Sequence, residues 1–376
     1  MTAPNRNKVK VAVYAICKNE AQFVDRWVNS MAEADEIVVL DTGSTDNTVD
    51  KLRERGVKVE IGVFRPWRFD LPRNASMQLV SADADICICT DLDEVLTPGW
   101  RASLEKTWVE NGGKVNGVGK NLRVRYLYTW NFNPDGSPGT TFWYEKCHAR
   151  HGYRWIKPVH EILASYVESD GGEIWAKCEG FQLHHYPDNT KSRASYLPLL
   201  AMSVKEEPDD DRNSHYYGRE LMYYRKYDEA IAELVRHLSL PRARWMAERA
   251  ASMRYISRCF IYKGQLPLAR EWALKACAED PNAREPWLQL AKVLWDEQDY
   301  EGVVFAVLRA LRIKDRPDHY INDPESWSEY PYLLLSEAYF KLKEYQKAES
   351  YASKGLVFSP NHERLRALED TVLLKE

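Results

Sequence analysis

Asp91 and Asp93 stand two positions apart in DLDE, directly behind the apolar run ICICT. Residues two apart in an extended segment point the same way, so both carboxylates project together from the end of a strand. Hard carboxylate oxygens suit Mg²⁺ or Mn²⁺, and such an ion in turn holds a diphosphate. Farther along, His184 and His185 in LHHYPDNT follow a strand-like stretch and precede a turn. One of the two imidazoles offers a further metal ligand compatible with Mn²⁺, while strand alternation sends the pair to opposite faces. Lys191 and Arg193, just beyond, offer either a phosphate contact or a solvated helix start.

These residues need elements to place them. Over the first hundred positions apolar runs alternate with helical patterns: VKVAVYAIC, a helix around Ala21 to Met31, EIVVLD, a helix from Thr45 to Arg55, VKVEIGVF, a helix from about Asn74, then ADICICTDLDE. That alternation implies βαβ units and a mostly parallel sheet covered on both faces. Ligands of open α/β sheets bind outside the carboxyl ends of the strands, which is where DLDE and DTGSTDNT fall. In the latter, Gly43 turns the chain and Ser44, Thr45 or Asp46 supplies a helix N-cap; Thr97 and Pro98 read as the N-cap and first position of the helix after DLDE. Residues 112–186 carry shorter alternating segments between Gly/Pro turns and read as β-rich additions at the sheet edge.

Beyond about residue 205 the strand signals stop and a repeat emerges. Met253, Ile256, Ser257, Phe260, Ala269, Ala273, Ala276 and Pro281 fit the tetratricopeptide pattern, with small residues where two helices meet. The register recurs at Trp287, Leu290, Ala291, Leu294, Val303, Val307 and Ala310, and again at Tyr332, Leu335, Ser336, Tyr339, Ala348, Ala352, Gly355 and Pro360 after an insertion containing DRPDHYINDP. A weaker first copy fits Tyr217, Gly218, Leu221, Ala230 and Leu234. Each unit alone leaves an apolar face exposed, so the copies must stack.

A lone D-x-D is a weak signal, but here it has ordered companions: AICKNE, VVLDTGSTDNT, RNAS and CTDLDEVLTPGW. The set resembles the nucleotide-sugar domain of family 2 glycosyltransferases of the GT-A fold over about residues 8–200, and KPVHE and LHHY look like segments of its lipopolysaccharide-glucosyltransferase-like and peptide-glycosylating branches. The resemblance implies an α/β GT-A (Rossmann-like, mostly parallel sheet) catalytic domain over residues 1–205, and an all-α tetratricopeptide-repeat domain over 206–376. It places Asn19, Glu20, Ser44 and Asp46 by the nucleotide, makes Asp41 the acid that hydrogen-bonds the base, typically uracil, and puts Arg73 near the diphosphate. Asp91 is similar to the ribose- or metal-contacting first acid and Asp93 to the direct metal ligand. The implied cofactor is Mn²⁺ or Mg²⁺, with a nucleoside-diphosphate sugar, UDP-linked by preference, as donor.

Displacement at a sugar's anomeric carbon needs a stabilised leaving group and a base for the acceptor. Glu161 and His160 in KPVHE are the base candidates, with Glu161 preferred, and a single carboxylate opposite the leaving group gives inversion. A GT-A domain that has lost catalysis and serves as a repeat scaffold is the rival from another class, against which the intact DLDE argues. A nucleotidyltransferase would carry a Gly-rich loop after the first strand, and AICKNEAQF has none.

Composition narrows the partners. The 376 residues include 13 Trp, 22 Tyr and 10 Phe, and the formal net charge is −4, without the positive balance of a typical nucleic-acid binder. The local exception runs from Lys114 to Lys157, where eight Lys/Arg and two acids interleave with aromatics that include Trp130, Trp143 and Trp155. Those three are candidate acceptor contacts. A protein or peptide, a glycan, and a modified nucleic-acid base all remain acceptors on this reading, and the repeat array offers a surface for partners or for homo-oligomerisation. Seven cysteines form no CxxC or zinc spacing, and Cys87 and Cys89 read as small buried residues on one strand face. Apolar runs fall short of a membrane span and the N-terminus lacks signal-peptide character, so the expectation is a soluble cytoplasmic protein.

Overall fold

The computed structural model describes residues 8–133, 135–166, 172–188 and 194–373. The chain divides into two compact units, Met1–Ser195 and Tyr196–Glu376. This moves the expected boundary at 205/206 forward, because the helix Tyr196–Glu206 joins the second unit: Ser203 accepts a hydrogen bond from Asn213 Nδ2 at 2.6 Å.

The first unit is built on one eight-stranded sheet. Its strands are β1 (Val11–Cys17), β2 (Glu36–Asp41), β3 (Lys58–Ile61), β4 (Ile86–Thr90), β5 (Glu94–Leu96), β6 (Leu122–Thr129), β7 (Thr141–Ala149) and, after the separate hairpin β8 (Tyr153–Ile156) and β9 (Ile162–Ser165), β10 (Ile174–His185). The order is β3-β2-β1-β4-β7-β6-β10-β5. β3, β2, β1 and β4 are parallel, as the alternation of strands and helices requires, and β10 runs parallel to β6. Central β1 is buried at every position, which explains why VAVYAIC shows no polar alternation. Residues 112–186 are more than edge additions: β7 pairs antiparallel with β4, so this segment continues the sheet beyond β4 and supplies three of its eight strands.

Helices α1 (Val24–Met31), α2 (Thr48–Glu54), α3 (Asp70–Leu79) and α4 (Trp100–Glu110) cover the sheet. On α1 the buried residues Val24, Trp27, Val28 and Met31 form one helical face, and Trp27 Nε1 donates to Thr90 at the end of β4 at 3.0 Å. Helix α4 starts two residues later than Thr97 and Pro98 suggest, because Thr97 N–H is bound to the Gln182 carbonyl of β10 and Gly99 takes the left-handed cap position. Cys87 and Cys89 are buried, and burial pushes their thiols up to about 12 and about 11, as core residues rather than reactive ones.

The second unit begins with α5 (Tyr196–Glu206) and continues in antiparallel pairs: α6 (Asp211–Tyr223) with α7 (Tyr227–Ser239), α8 (Met246–Tyr262) with α9 (Leu266–Glu279), α10 (Arg284–Asp296) with α11 (Tyr300–Arg312), and α12 (Tyr330–Lys341) with α13 (Tyr345–Leu356), followed by α14 (Glu363–Leu373). Small residues sit where the partners cross. Ala269, Ala273, Val303, Val307, Ala348 and Ala352 are all fully buried, and Ser257 and Ser336 each donate to a carbonyl of the facing helix, at 2.8 and 2.7 Å. At Gly218 a Cβ would stand 2.5 Å from Leu234 Cγ, so the weakest repeat copy depends on glycine for its crossing. No helix among the described residues is long and apolar enough to cross a membrane.

Candidate functional site

Two loops at the carboxyl ends of β1 and β2 are tied to each other. Asn19, in the left-handed region at φ 54°, donates its N–H to Ser44 Oγ at 2.8 Å and accepts from Thr45 N at 2.7 Å. Asp41, nearly fully buried, accepts from Gly43 N and Ser44 N, both at 2.9 Å, and from the Ser44 hydroxyl. Asp46 accepts from Thr48 N at 3.0 Å and Ala21 N at 3.3 Å; burial opposes its ionisation, but these bonds hold its carboxyl below the usual range. Glu20 N–H reaches Thr48 Oγ1 at 2.8 Å. The five residues assigned to the nucleotide therefore lie in one preformed loop pair, with Asp41 as its organiser. Beside it is a cavity of about 400 Å³ lined by Lys18, Thr42, Val63, Phe64, Arg65 and Trp67.

A second cluster is centred on Arg73 of α3. Its guanidinium reaches Asp91 Oδ1 at 2.6 Å and Glu161 Oε1 at 3.0 Å. Neighbouring Asn74 holds the β8 strand by two reciprocal bonds with the Trp155 backbone, each 2.8 Å, and Phe69 N–H donates to Pro158 O. The RNAS segment thus fixes the KPVHE loop against the end of β4. Lys146 of β7 completes the cluster, 3.3 Å from Asp91 Oδ2 and 3.8 Å from Glu94 Oε1. Burial works against the charge on Asp91, yet Arg73 and Lys146 hold its carboxyl far below the usual range while 33% of the side chain stays exposed. Glu94 moves the other way: burial, together with Asp91 and Asp93, raises it, and its Oε1 accepts from the Tyr128 hydroxyl at 2.8 Å. Lys146 was not marked by any motif; the only trace is a lysine in the otherwise buried KCHA stretch of β7.

Asp93 and His185 form the third group. The register of β10 against β5 sets His185 opposite Glu94, and Tyr186 N–H donates to Asp93 O at 2.9 Å. His185 Nε2 lies 3.5 Å from Asp93 Oδ2, while Nδ1 is 3.0 Å from the Trp130 carbonyl. A carbonyl can only accept, so Nδ1 carries a proton and Nε2 faces the carboxylate. Burial opposes protonation of His185, but Asp93 and the carbonyl raise it above the ordinary imidazole value. His184 points to the other face, against Phe132 and Tyr186, and burial lowers its basicity.

Among the described residues no group of three His, Cys, Asp or Glu side chains could by itself hold a metal ion. A divalent cation that keeps water and phosphate ligands needs only one or two protein donors. Asp93 and His185 could supply such donors, and the Trp130 carbonyl orients the ring from behind. Asp91 fits less well as a ligand, because Arg73 and Lys146 engage its two oxygens.

The basic, aromatic stretch is mostly internal. Arg123, Lys146, Arg150 and Lys157 are buried, which removes half of the expected cationic surface. Trp130 is 49% exposed with its ring 4.6 Å from that of His185, and Trp143 is partly exposed beneath Lys177. Trp155 is only 2% exposed and donates to the Tyr14 hydroxyl at 2.8 Å, so it belongs to the core and offers no face to an acceptor. His160 takes a left-handed backbone conformation beside Glu161. Lys191 and Arg193 lie outside the described residues.

Residues 12–156 match the model of Glycosyl transferase family 2. An uncharacterized glycosyltransferase of Rickettsia bellii is 32% identical over 97 residues, 26% of this chain and 32% of that protein. One from Rickettsia conorii is 41% identical over 59 residues, 15% of this chain and 20% of that protein. The chain thus spans about a third or less of the curated relatives it matches. Solved structures similar to the chain include MamA, at 14% identity and TM-score 0.35 over 44% of this chain and 81% of that one. YrrB, described as a TPR protein with an unusual peptide-binding site, matches at 15% identity and TM-score 0.36 over 47% and 83%. Residues 12–156 are thus similar to family 2 glycosyl transferases, and a separate unit of stacked helix pairs follows them in the chain.

Proposed function

We propose that this chain is a metal-dependent, inverting glycosyltransferase that moves a sugar from a nucleoside-diphosphate sugar, UDP-linked by preference, to a protein, peptide or glycan acceptor. The observation that carries the reading is the double reach of Arg73, which holds the acid after β4 and the acid of the KPVHE loop in one cluster. The donor's base would enter the cavity beside Asp41 and Thr42, with the Asn19 to Asp46 loops holding the ribose side.

When bound at Asp93 and His185, Mn²⁺ or Mg²⁺ would neutralise the charge that grows on the departing diphosphate. Glu161 would take the proton from the acceptor hydroxyl as its oxygen attacks the anomeric carbon and the bond to diphosphate breaks. Arg73 occupies Oε1 of Glu161 and so fixes the carboxylate's orientation. Trp130, exposed beside His185, would flank the acceptor sugar or side chain. Asp91, the other carboxylate of the cluster, is engaged at both oxygens by Arg73 and Lys146, which supports inversion through Glu161 over a covalent intermediate.

A screen of UDP-, GDP- and dTDP-sugars for binding and hydrolysis by the full chain, with and without Mn²⁺, tests the reading. Turnover of one donor that requires the metal is the expected result. No binding and no turnover of any donor would favour a repeat scaffold without catalysis.

A further inference from the structure

In the second unit the first helices of successive pairs, α6, α8 and α10, stand side by side. Short turns join most pairs, such as 280–283 between α9 and α10, but residues 313–329 between α11 and α12 form a much longer connection. That segment does not loop into solvent. Tyr320 stacks on Tyr216 of α6 at 6.3 Å and its hydroxyl donates to Glu248 of α8 at 3.3 Å. Asp323 accepts from Arg254 at 2.6 Å and Arg258 at 3.4 Å, both on α8, and its N–H donates to Glu285 of α10 at 3.1 Å. Trp327 donates to the same Glu285 oxygen at 3.1 Å and lies 3.9 Å beneath the Arg284 guanidinium, while Glu325 meets Lys292 at 2.9 Å. The chain thus lays a segment across three helices, anchored in order by Tyr320, Asp323, Glu325 and Trp327, with a 3₁₀ turn over Pro324–Trp327.

The face beneath it is cationic. Arg254, Arg258, Arg284 and Lys292 all meet the segment, and Glu248 and Glu285 are the acids on the same helices that it touches. Lifting the segment takes Asp323 and Glu325 away and leaves an excess of positive charge. One cation is unmatched even with the segment in place. Arg219 of α6 lies over Tyr216 at 4.7 Å and Tyr223 at 6.0 Å, its Nε is buried, and its side chain makes no hydrogen bond or ion pair among the described residues. A guanidinium that is partly buried, with its Nε out of reach of water and ring faces on one side, forgoes charge-assisted bonds that an incoming carboxylate would supply.

We propose that residues 313–329 are an internal ligand of the face formed by α6, α8 and α10, and that an extended acidic segment of a partner protein takes this place, pairing with Arg219 as well as with the arginines that Asp323 now holds. A tethered segment competes at an effective concentration of about millimolar, so the intact chain keeps the face closed to weak ligands. The partner must either bring more acids than the strap or arrive when the strap is loosened.

The test uses the full chain and a labelled peptide of residues 316–329, RPDHYINDPESWSE, read by fluorescence anisotropy. Asp323→Asn should bind the peptide at least tenfold tighter than the wild type. Arg219→Ala added to that variant should leave the affinity for this peptide within about twofold, because the strap's own acids meet Arg254, Arg258 and Lys292 and not Arg219, and a peptide with Asn and Gln in place of the Asp323 and Glu325 acids should not bind. Equal affinity of the wild type and a folded Asp323→Asn variant, or equal binding of the acid-free peptide, overturns the proposal. Should Asp323→Asn fail to fold, hydrogen exchange of the wild type with the peptide at about 10 mM, above the effective concentration of the tether, decides: lost protection at residues 319–327 supports displacement, and unchanged protection overturns it.

Discussion

Arg73 and Glu161, 88 positions apart in the chain, meet at 3.0 Å, and the same guanidinium holds Asp91 at 2.6 Å. One buried side chain thereby joins the acid proposed as base to the acid that closes β4. Removing it leaves two carboxylates without their shared cation. Arg73→Ala is expected to cost about 3–5 kcal/mol of stability, measured by chemical denaturation. Glu161→Gln, which keeps an acceptor for Arg73, is expected to leave the fold and nucleotide binding intact while transfer falls roughly 10²–10⁴-fold. Transfer at wild-type rate by Glu161→Gln would assign the base elsewhere.

Asp93 and His185 are expected to govern metal use, and His184 is not. His185→Ala or Asp93→Ala should abolish the stimulation of donor hydrolysis by Mn²⁺, or raise the Mn²⁺ needed at least tenfold. His184→Ala should leave the Mn²⁺ titration within about twofold, since its ring packs on Phe132 on the opposite face. Equal effects of the two histidine substitutions would contradict the assignment.

Two tryptophans close in sequence are expected to behave differently. Trp130→Ala should lower kcat/KM for the acceptor while donor hydrolysis is retained, because its ring is half exposed beside His185. Trp155→Ala removes a core ring bonded to Tyr14 and should destabilise the unit by about 3–5 kcal/mol. A thermal melt together with acceptor kinetics separates the two outcomes.

His148 gives the first unit a pH dependence. It is fully buried; its Nδ1 donates to the Ala149 carbonyl at 2.8 Å, so Nε2 accepts from Tyr14 Oη at 2.9 Å, and the neutral ring is satisfied at both nitrogens. Burial, with Arg123 and Arg150 nearby, lowers its pKa from 6.5 to about 3. The unfolded chain therefore binds a proton that the folded chain refuses. Its contribution to stability is complete above about pH 6.5 and falls as pH drops toward 3, by up to about 1.4 kcal/mol per pH unit. His148→Gln should flatten the slope of unfolding free energy against pH between 6 and 4; an unchanged slope would place the dependence on other groups.

Gly218→Ala should be costly despite alanine's better helix propensity. The added methyl meets Leu234 at 2.5 Å, and forcing the α6–α7 crossing apart costs about 1–3 kcal/mol. Unfolding of the second unit, followed by far-ultraviolet circular dichroism, measures it.

Much of the architecture was written in local patterns. The wholly apolar VAVYAIC and ICICT runs announced central parallel strands, and the recurrence from Ile256 to Leu290 and Leu335 announced stacked helix pairs, because burial on both faces and a repeated crossing each leave a periodic trace. The segment 112–186 misled for the complementary reason. Its strands alternate polar and apolar residues like an exposed edge, yet cations such as Arg123 and Lys146 enter the interior by pairing with Glu173, Asp91 and Glu94. Patterning read charge as surface where paired charge was core.

The sequence by itself determined the order of strands and helices, the repeat register, and the position of DLDE at a strand end, since each follows from periodicity or a short contiguous motif. Only the tertiary structure decided which acid meets which cation. It set His185 rather than His184 beside Asp93, bound Asp91 between Arg73 and Lys146, sent Trp155 into the core, and laid Asp323 across Arg254 and Arg258. Those pairings depend on strand register and on contacts between segments tens of residues apart, which carry no local period for a sequence to display.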